Sequence, residues 1–207
     1  MDSDAVEIRV LGCLIEKQRT TPDVYPLSLN TLRTACNQTT NRDPVVEYDE
    51  STIRAALERL SRKGWTRLAS GPGSRAVKHR HLLDAALRLS EAELALLCVL
   101  MLRGAQTPGE LKQRSDRLHR FAAPGDLEQT LGTLVDRELV ARRPRRPGQK
   151  EERYEQLLGA EDAPEQVAGE QGAEGADIRG SALEERVSRL EDEVASLRRA
   201  LESLRAP

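Results

Sequence analysis

Residues 20–45, TTPDVYPLSLNTLRTACNQTTNRDPV, decide the fold. Tyr25, Pro26 and Leu27 read as extended, because a residue before proline is pushed out of the helical region. Ser28 then caps a helix, its hydroxyl accepting from one of the first free amides, and Leu29, Leu32, Ala35 and Cys36 recur at helical spacing. That helix stops near Gln38. From Thr39 to Pro44 the chain is polar, with Asn41 and Asp43 able to bond their own backbone. A second capped helix follows, in which Ser51 precedes Thr52, Ile53, Ala56, Leu57 and Leu60, and Gly64 closes it where a left-handed residue is wanted. Helix, polar turn, helix, then Trp65 and a glycine-rich hairpin signal is the order of a winged helix-turn-helix.

Working outward, Asp4 is the expected cap of a first helix over 4–18, with Val6, Val10, Leu11, Leu14 and Ile15 on one side. On the other flank, 65–82 reads as two short strands joined by SGPGS, a turn signal. This wing carries Arg67, Arg75, Lys78 and Arg80 and no acid, while the helix before it carries Arg54, Arg59, Arg62 and Lys63 against Asp49, Glu50 and Glu58.

The pattern repeats. Ile53, Leu57 and Leu60 fall on Leu127, Leu131 and Leu134 at an offset of 74, and Leu11, Thr21 and Pro22 on Leu97, Thr107 and Pro108 at an offset of 86. The change of offset fits a shorter helix-to-helix connection in the second copy. Ser90 with Glu93, and Thr107 with Glu110, form capping boxes, Pro108 taking the first helical position. Asp126 or Pro124 opens the next helix, which runs to about Glu138. A second wing holds Arg142, Arg143, Arg145, Arg146, Lys150 and Arg153 against Glu151 and Glu152. The helix before it, with Arg137 against Asp126, Glu128, Asp136 and Glu138, would be repelled by phosphates.

The run Thr20, Thr21, Pro22, Tyr25, Pro26, Leu27, Ser28, Leu29 and Asn30, then Ala35, Cys36, Asn37, Gln38, Asn41, Arg42, Pro44 and Val45, resembles the YceH-like family of bacterial proteins. The likeness continues through LRGAQTPGEL and RRPGQKEERY and so spans nearly all of 1–158. It implies two winged-helix domains and a C-terminal heptad segment; it brings no established reaction, ligand or target. Around Gln156 the resemblance implies a histidine, from which this chain departs. Asn37, Gln38, Asn41 and Arg42 have two readings: they satisfy the backbone of their own long turn, or they grip phosphates or bases.

From Gly159 to Asp177 the chain has six acids, no base and few large apolar residues, the composition of a flexible linker. Beyond it Leu183, Val187, Leu190, Val194, Leu197, Leu201 and Leu204 alternate steps of four and three. Branched residues at most a positions with leucine at d favour a parallel two-stranded coil, and Arg186 with Glu191 and Glu193 with Arg198 would attract across it. The alternative is that this helix folds its stripe back onto its own body.

The domain organisation expected is therefore 1–86 and 87–158 as tandem winged helix-turn-helix domains, mainly α with small β wings, 159–178 as linker and 179–207 as coiled-coil helix. The tail from 159 holds 6 Lys and Arg against 12 Asp and Glu; the body before it holds 26 against 22, so a near-neutral total of −2 conceals a basic body. Such a body suits phosphate contact. Five aromatic residues in 207 leave little for stacking on single strands. No stretch is apolar enough for a membrane span and the start lacks a signal-peptide pattern, so a cytoplasmic protein is expected. Cys13, Cys36, Cys98, His79, His81 and His119 show no zinc spacing, and neither a phosphate loop nor a nucleophile motif is present; no metal, cofactor or catalysis is expected. The function expected is a homodimeric protein that binds double-stranded DNA, a regulator of transcription, through the basic residues named above. A protein-interaction adaptor built on the same folds, with a protein partner in place of DNA, is the alternative.

Overall fold

Two helices run through the centre of the molecule, and their caps are written locally. In α1 (Ala5–Thr20) Asp4 accepts from the Glu7 amide at 2.8 Å while Glu7 accepts from the Asp4 amide at 2.9 Å. In α5 (Glu91–Arg103) Ser90 and Glu93 make the same reciprocal pair. Each helix is buried all round for most of its length, from Glu7 to Ile15 and from Glu93 to Leu102, which a helix with one covered face cannot be. The reason is that α1 packs against α2 (Leu29–Cys36) and α3 (Glu50–Arg62) and also against α5. Arg19, near the end of α1, pairs with Glu91 at the start of α5 at 2.9 Å, while Gly12 meets Met101 and Leu102, so the two run in opposite directions. At their crossing a Cβ on Gly12 would lie 2.9 Å from Leu102 Cδ2 and 3.1 Å from Met101 Cβ; only the bare glycine backbone lets the helices approach this closely.

The computed structural model describes residues 3–69, 77–123, 125–145 and 151–159. The linker from 160, the coil with Leu183, Val187, Leu190, Val194, Leu197, Leu201 and Leu204, the SGPGS turn, Arg75, Arg146, Lys150 and Pro124 lie outside the described residues. Among those described, the protein is mainly helical with small antiparallel strands, an arrangement consistent with a winged-helix-like fold. No described helix is long and apolar enough to cross a membrane.

In the first half α1 leads through a 3₁₀ turn (Pro22–Val24) to strand β1 (Leu27–Ser28), then α2, α3 and strands β2 (Thr66–Leu68) and β3 (Lys78–His81). The sheet order is β1-β3-β2, all antiparallel, with Leu27 opposite His79, Thr66 opposite His81 and Arg67 opposite Arg80. A short α4 (Leu83–Leu87) connects to α5. The second half repeats the order with α5, α6 (Pro108–Ser115), α7 (Asp126–Asp136) and strands β4 (Val140–Arg143) and β5 (Arg153–Gln156). In place of β1 it has one bridge, Gln106 exchanging backbone bonds of 3.0 and 2.8 Å with Tyr154. One apolar cluster, from Ile8 to Leu158, runs through both halves. All the described residues fall in one compact unit.

Two local readings need correction. Ser51 does not cap α3: the helix begins at Glu50, and Asp49 accepts from the Thr52 amide at 2.7 Å and from the Ser51 hydroxyl at 2.9 Å. A carboxylate is the stronger acceptor for a free helix amide, and it displaces the start by two residues. The two Thr-Pro pairs, aligned at an offset of 86, do different work. Thr107 and Pro108 start α6, whereas Thr21 and Pro22 open the 3₁₀ turn and the residue topologically matching Thr107 is Ser28, whose hydroxyl caps α2. The third helix of the second half opens at Asp126, as expected, with Gly125 before it at φ 96° and Asp126 accepting from the Ala123 amide at 2.8 Å.

Candidate nucleic-acid interface

The basic residues expected at the surface separate into three groups. The first is committed to the protein itself. Arg59 reaches the start of α1, 2.5 Å from Asp4 Oδ2 and 3.6 Å from Glu7 Oε2. Lys63 lies 3.0 Å from Glu7 Oε1, donates to the Ser3 hydroxyl at 2.9 Å, and rests 5.7 Å from the centre of the Trp65 ring. Glu7 is buried, so these two cations offset its burial. A phosphate would have to compete with Asp4 and Glu7 for them.

A second group belongs to the second wing, where acids neutralise the arginines. Arg142 pairs with Glu152 and Arg143 with Glu155, the latter at 2.8 Å, and Arg153 is 3.0 Å from Glu110. Arg145 is exposed at the end of the described strand segment.

The third group surrounds the first wing. Arg67 and Arg80 stand directly opposite one another on β2 and β3, an arrangement that like charges disfavour. Arg80 Nε is buried and has no hydrogen-bond partner among the described residues. On the other sheet face, His79 has its pKa held below the ordinary histidine value, first by burial and then by the nearby charge of Arg54. Arg54, Arg62 and Arg67 are exposed and Lys78 is half-buried. Arg67, Lys78 and Arg80 thus share one face of the sheet, and that face is cationic.

The signature residues form a polar cluster at the α2–α3 connection in which Arg42 is buried, Asn37 and Gln38 are half-buried and Asn41 is exposed. Arg42, its side chain fully buried, makes a forked pair with Glu16 at 2.6 and 3.2 Å and donates to the carbonyl oxygens of Ala35 and Asn41 and to Gln38 Oε1. Burial acts on Glu16 to raise its pKa, but the bonds and charge of Arg42 prevail and hold it below the usual carboxylate range. Asn37 spans the turn, its amide donating to Tyr48 O at 2.8 Å and accepting from Tyr48 N at 2.9 Å. Arg9, also buried, donates to Cys36 O and, at 2.6 Å, to Pro44 O. Asn41 sits at φ 60° with its side-chain oxygen accepting from Arg103. These are bonds a long irregular turn requires of its own backbone, and they leave Arg42 with no exposed surface.

Sequence reasoning missed the buried Glu7 and Arg9, the largely covered Glu16, and the buried His81. The signal for the first three was a charged residue inside an apolar helical run, EIRVLGCLIE. His81 is buried against Gln18, its Nε2 2.5 Å from Gln18 Oε1, and its pKa is pushed down to about 4, chiefly by burial. Gln156 caps the chain's turn beyond β5, its Oε1 accepting from the amides of Leu158 and Gly159. Among the described residues no group of three or more His, Cys, Asp or Glu could hold a metal ion, and Cys13, Cys36 and Cys98 are buried and free.

The described fold is mainly helical with small antiparallel strands, consistent with a winged-helix-like protein. Its sequence matches, over residues 3–149, a family described as "Protein of unknown function, DUF480", and the chain belongs to that family. It is 48% identical over 194 residues to a UPF0502 protein of Citrifermentans bemidjiense, covering 93% of this chain and 88% of the relative. To a UPF0502 protein of Geobacter sulfurreducens it is 50% identical over 196 residues, with the same two shares covered. A third, from Pectobacterium atrosepticum, is 46% identical over 210 residues, 98% of each chain.

Proposed function

We propose that this is a non-enzymatic, cytoplasmic DNA-binding protein, a transcriptional regulator made of two tandem winged helix-turn-helix domains and dimerised through its C-terminal heptad seam. In this reading the first wing engages duplex phosphates. The observation that carries it is the juxtaposition of Arg67 and Arg80: two guanidiniums in direct cross-strand opposition, one with a buried nitrogen unpartnered among the described residues, are eased by an anion between or beside them. Arg54 and Arg62 are exposed on α3, whereas Arg59 and Lys63 are held by the first turn of α1.

The test is a fluorescence-anisotropy titration of the full chain against mixed duplex fragments at several salt concentrations. Binding should weaken linearly on logarithmic axes as salt rises, and replacing both Arg67 and Arg80 with glutamine should lower the slope by about 2, close to one for each phosphate no longer neutralised. Replacing Arg142 and Arg143 should change it by less, because Glu152 and Glu155 already neutralise them.

A second reading is favoured by one observation: α7 carries Asp126, Glu128 and Asp136, and the wing beside it is paired internally. That half suits a protein partner. Absence of DNA binding even at low salt would make the adaptor role the reading for the whole chain.

A further inference from the structure

A cavity of about 350 Å³ opens between α1, α5 and α6, away from both wings, and its chemistry is uneven. Its apolar side is formed by Val99, Leu102 and Leu118, its polar side by Arg103, Arg114 and Arg117. One carboxylate, Glu16, lines the same space; it is bound in the fork of Arg42 at 2.6 and 3.2 Å, and its charge and that of Asp43 only partly offset the cations acting on Arg103. Arg114 is shared only loosely with Glu110, at 3.5 Å, Arg103 donates to the neutral oxygen of Asn41, and Arg117 makes no ion pair among the described residues. Three arginines thus line the cavity, and Arg103 feels the charge of Arg114 directly.

We propose that this cavity is a binding site for a small organic phosphate, a phosphate monoester carried on a compact apolar body. A phosphate at neutral pH carries close to two negative charges and three acceptor oxygens, which suits several guanidiniums better than a single carboxylate would. The apolar side then receives the organic part, and the volume lies at the small end of the range for ligand sites. The crowding of cations is felt by the protein itself: the pKa of Arg103 is held below the ordinary guanidinium value, first by burial and next by the charges of Arg114 and Arg42. A bound dianion relieves that repulsion. The site does not depend on the DNA-binding reading, since it shares no residue with either wing.

The experiment is calorimetric titration of the full chain with phenyl phosphate at fixed ionic strength, with inorganic phosphate, benzoate and benzyl alcohol as comparisons. Phenyl phosphate should bind with a dissociation constant on the order of 1 mM or tighter. Inorganic phosphate should bind about tenfold more weakly for want of the apolar contact, and benzyl alcohol should not bind. Arg117→Gln, at an exposed position with no ion pair among the described residues, should weaken phenyl phosphate about tenfold while leaving the thermal midpoint of the free protein unchanged. Leu118→Trp should close the cavity to the organic part. No binding up to about 10 mM, or binding that Arg114→Gln and Arg117→Gln together leave intact, would overturn the site. Equal affinity for benzoate would overturn its assignment to phosphate.

Discussion

The two halves share an order of elements and differ in how their polar groups are used. In the first half the connection between the second and third helices is long and rests on buried charge, Arg42 with Glu16 and Arg9 with backbone carbonyls. In the second, the corresponding connection has an exposed pair, Arg120 with Asp116, and an edge contact between the rings of His119 and Phe121. The first wing has like charges opposed; in the second, Arg142 and Arg143 are each matched to an acid. The difference teaches that apolar spacing and helix caps are enough to repeat a topology, while interior and surface charges separate the roles of the copies.

The largest effect should come from breaking the feature that the second half lacks. Arg42→Met removes the forked partner of the largely covered Glu16, leaving it Lys17 at 3.5 Å, and should cost about 3 kcal/mol in urea unfolding. Adding Glu16→Gln should return a large part of that, because the uncompensated charge is then gone. If the single variant lost under about 1 kcal/mol, the buried pair would not be what holds the connection.

Acid should expose a second asymmetry, because among the described residues only the first half has a buried histidine facing its sheet. With the folded pKa of His81 pushed down to about 4, first by burial and against the opposing pull of Asp84, the unfolded chain takes up the proton first. Its contribution is therefore complete above about pH 6.5 and is lost as pH falls toward 4, a change of at most about 3 kcal/mol. Thermal midpoints recorded across that window should fall for the natural protein and flatten for His81→Gln. An unchanged profile in the variant would assign the acid sensitivity to other groups.

The close approach that joins the halves is the next target. Gly12→Ala places a Cβ against Leu102 and Met101 and should destabilise by about 1–3 kcal/mol, with the loss seen equally by probes in either half. Two separate unfolding transitions would mean that the shared core does not couple them.

The smallest effect compares two helix ends of the same design. Both α3 and α7 close with paired bonds, from Trp65 to Leu60 O and Gly64 to Ser61 O in one, from Leu139 to Leu134 O and Glu138 to Val135 O in the other. The left-handed position is Gly64 in the first, at φ 73°, but Glu138 in the second, at φ 55°. Glu138→Gly should therefore stabilise by roughly 1 kcal/mol and Gly64→Ala should destabilise by a similar amount. Equal and opposite shifts in the denaturant midpoint are the expected result.

Much of the fold was legible because its signals are local. Asp4, Ser28, Ser90 and Thr107 cap the helices at which their sequence patterns place them, and Gly64 ends α3 with the expected handedness. The misreadings arose where local signals were degenerate: Asp49 and Ser51 are both competent caps, and a Thr-Pro pair fits a 3₁₀ turn as well as an α-helix. Of the candidate site, the basic character of the first wing could be read directly, but the capture of Arg59 and Lys63 by residues some 55 positions earlier could not.

What the sequence by itself determined is the longer helices with most of their caps, and the family, since caps, spacing and motif depend on residues within a few positions of one another; the short α4 and β1 left no such signal. What only the tertiary structure decided is which charges are spent inside. Glu7, Arg9, Arg42 and His81 are of residue types common at surfaces, and the packing of α1 between its own half and α5 places them in the interior, with Glu16 largely covered beside them. That placement depends on contacts between distant segments, where the low polarity of the surroundings makes each unpaired charge costly and so determines its partner.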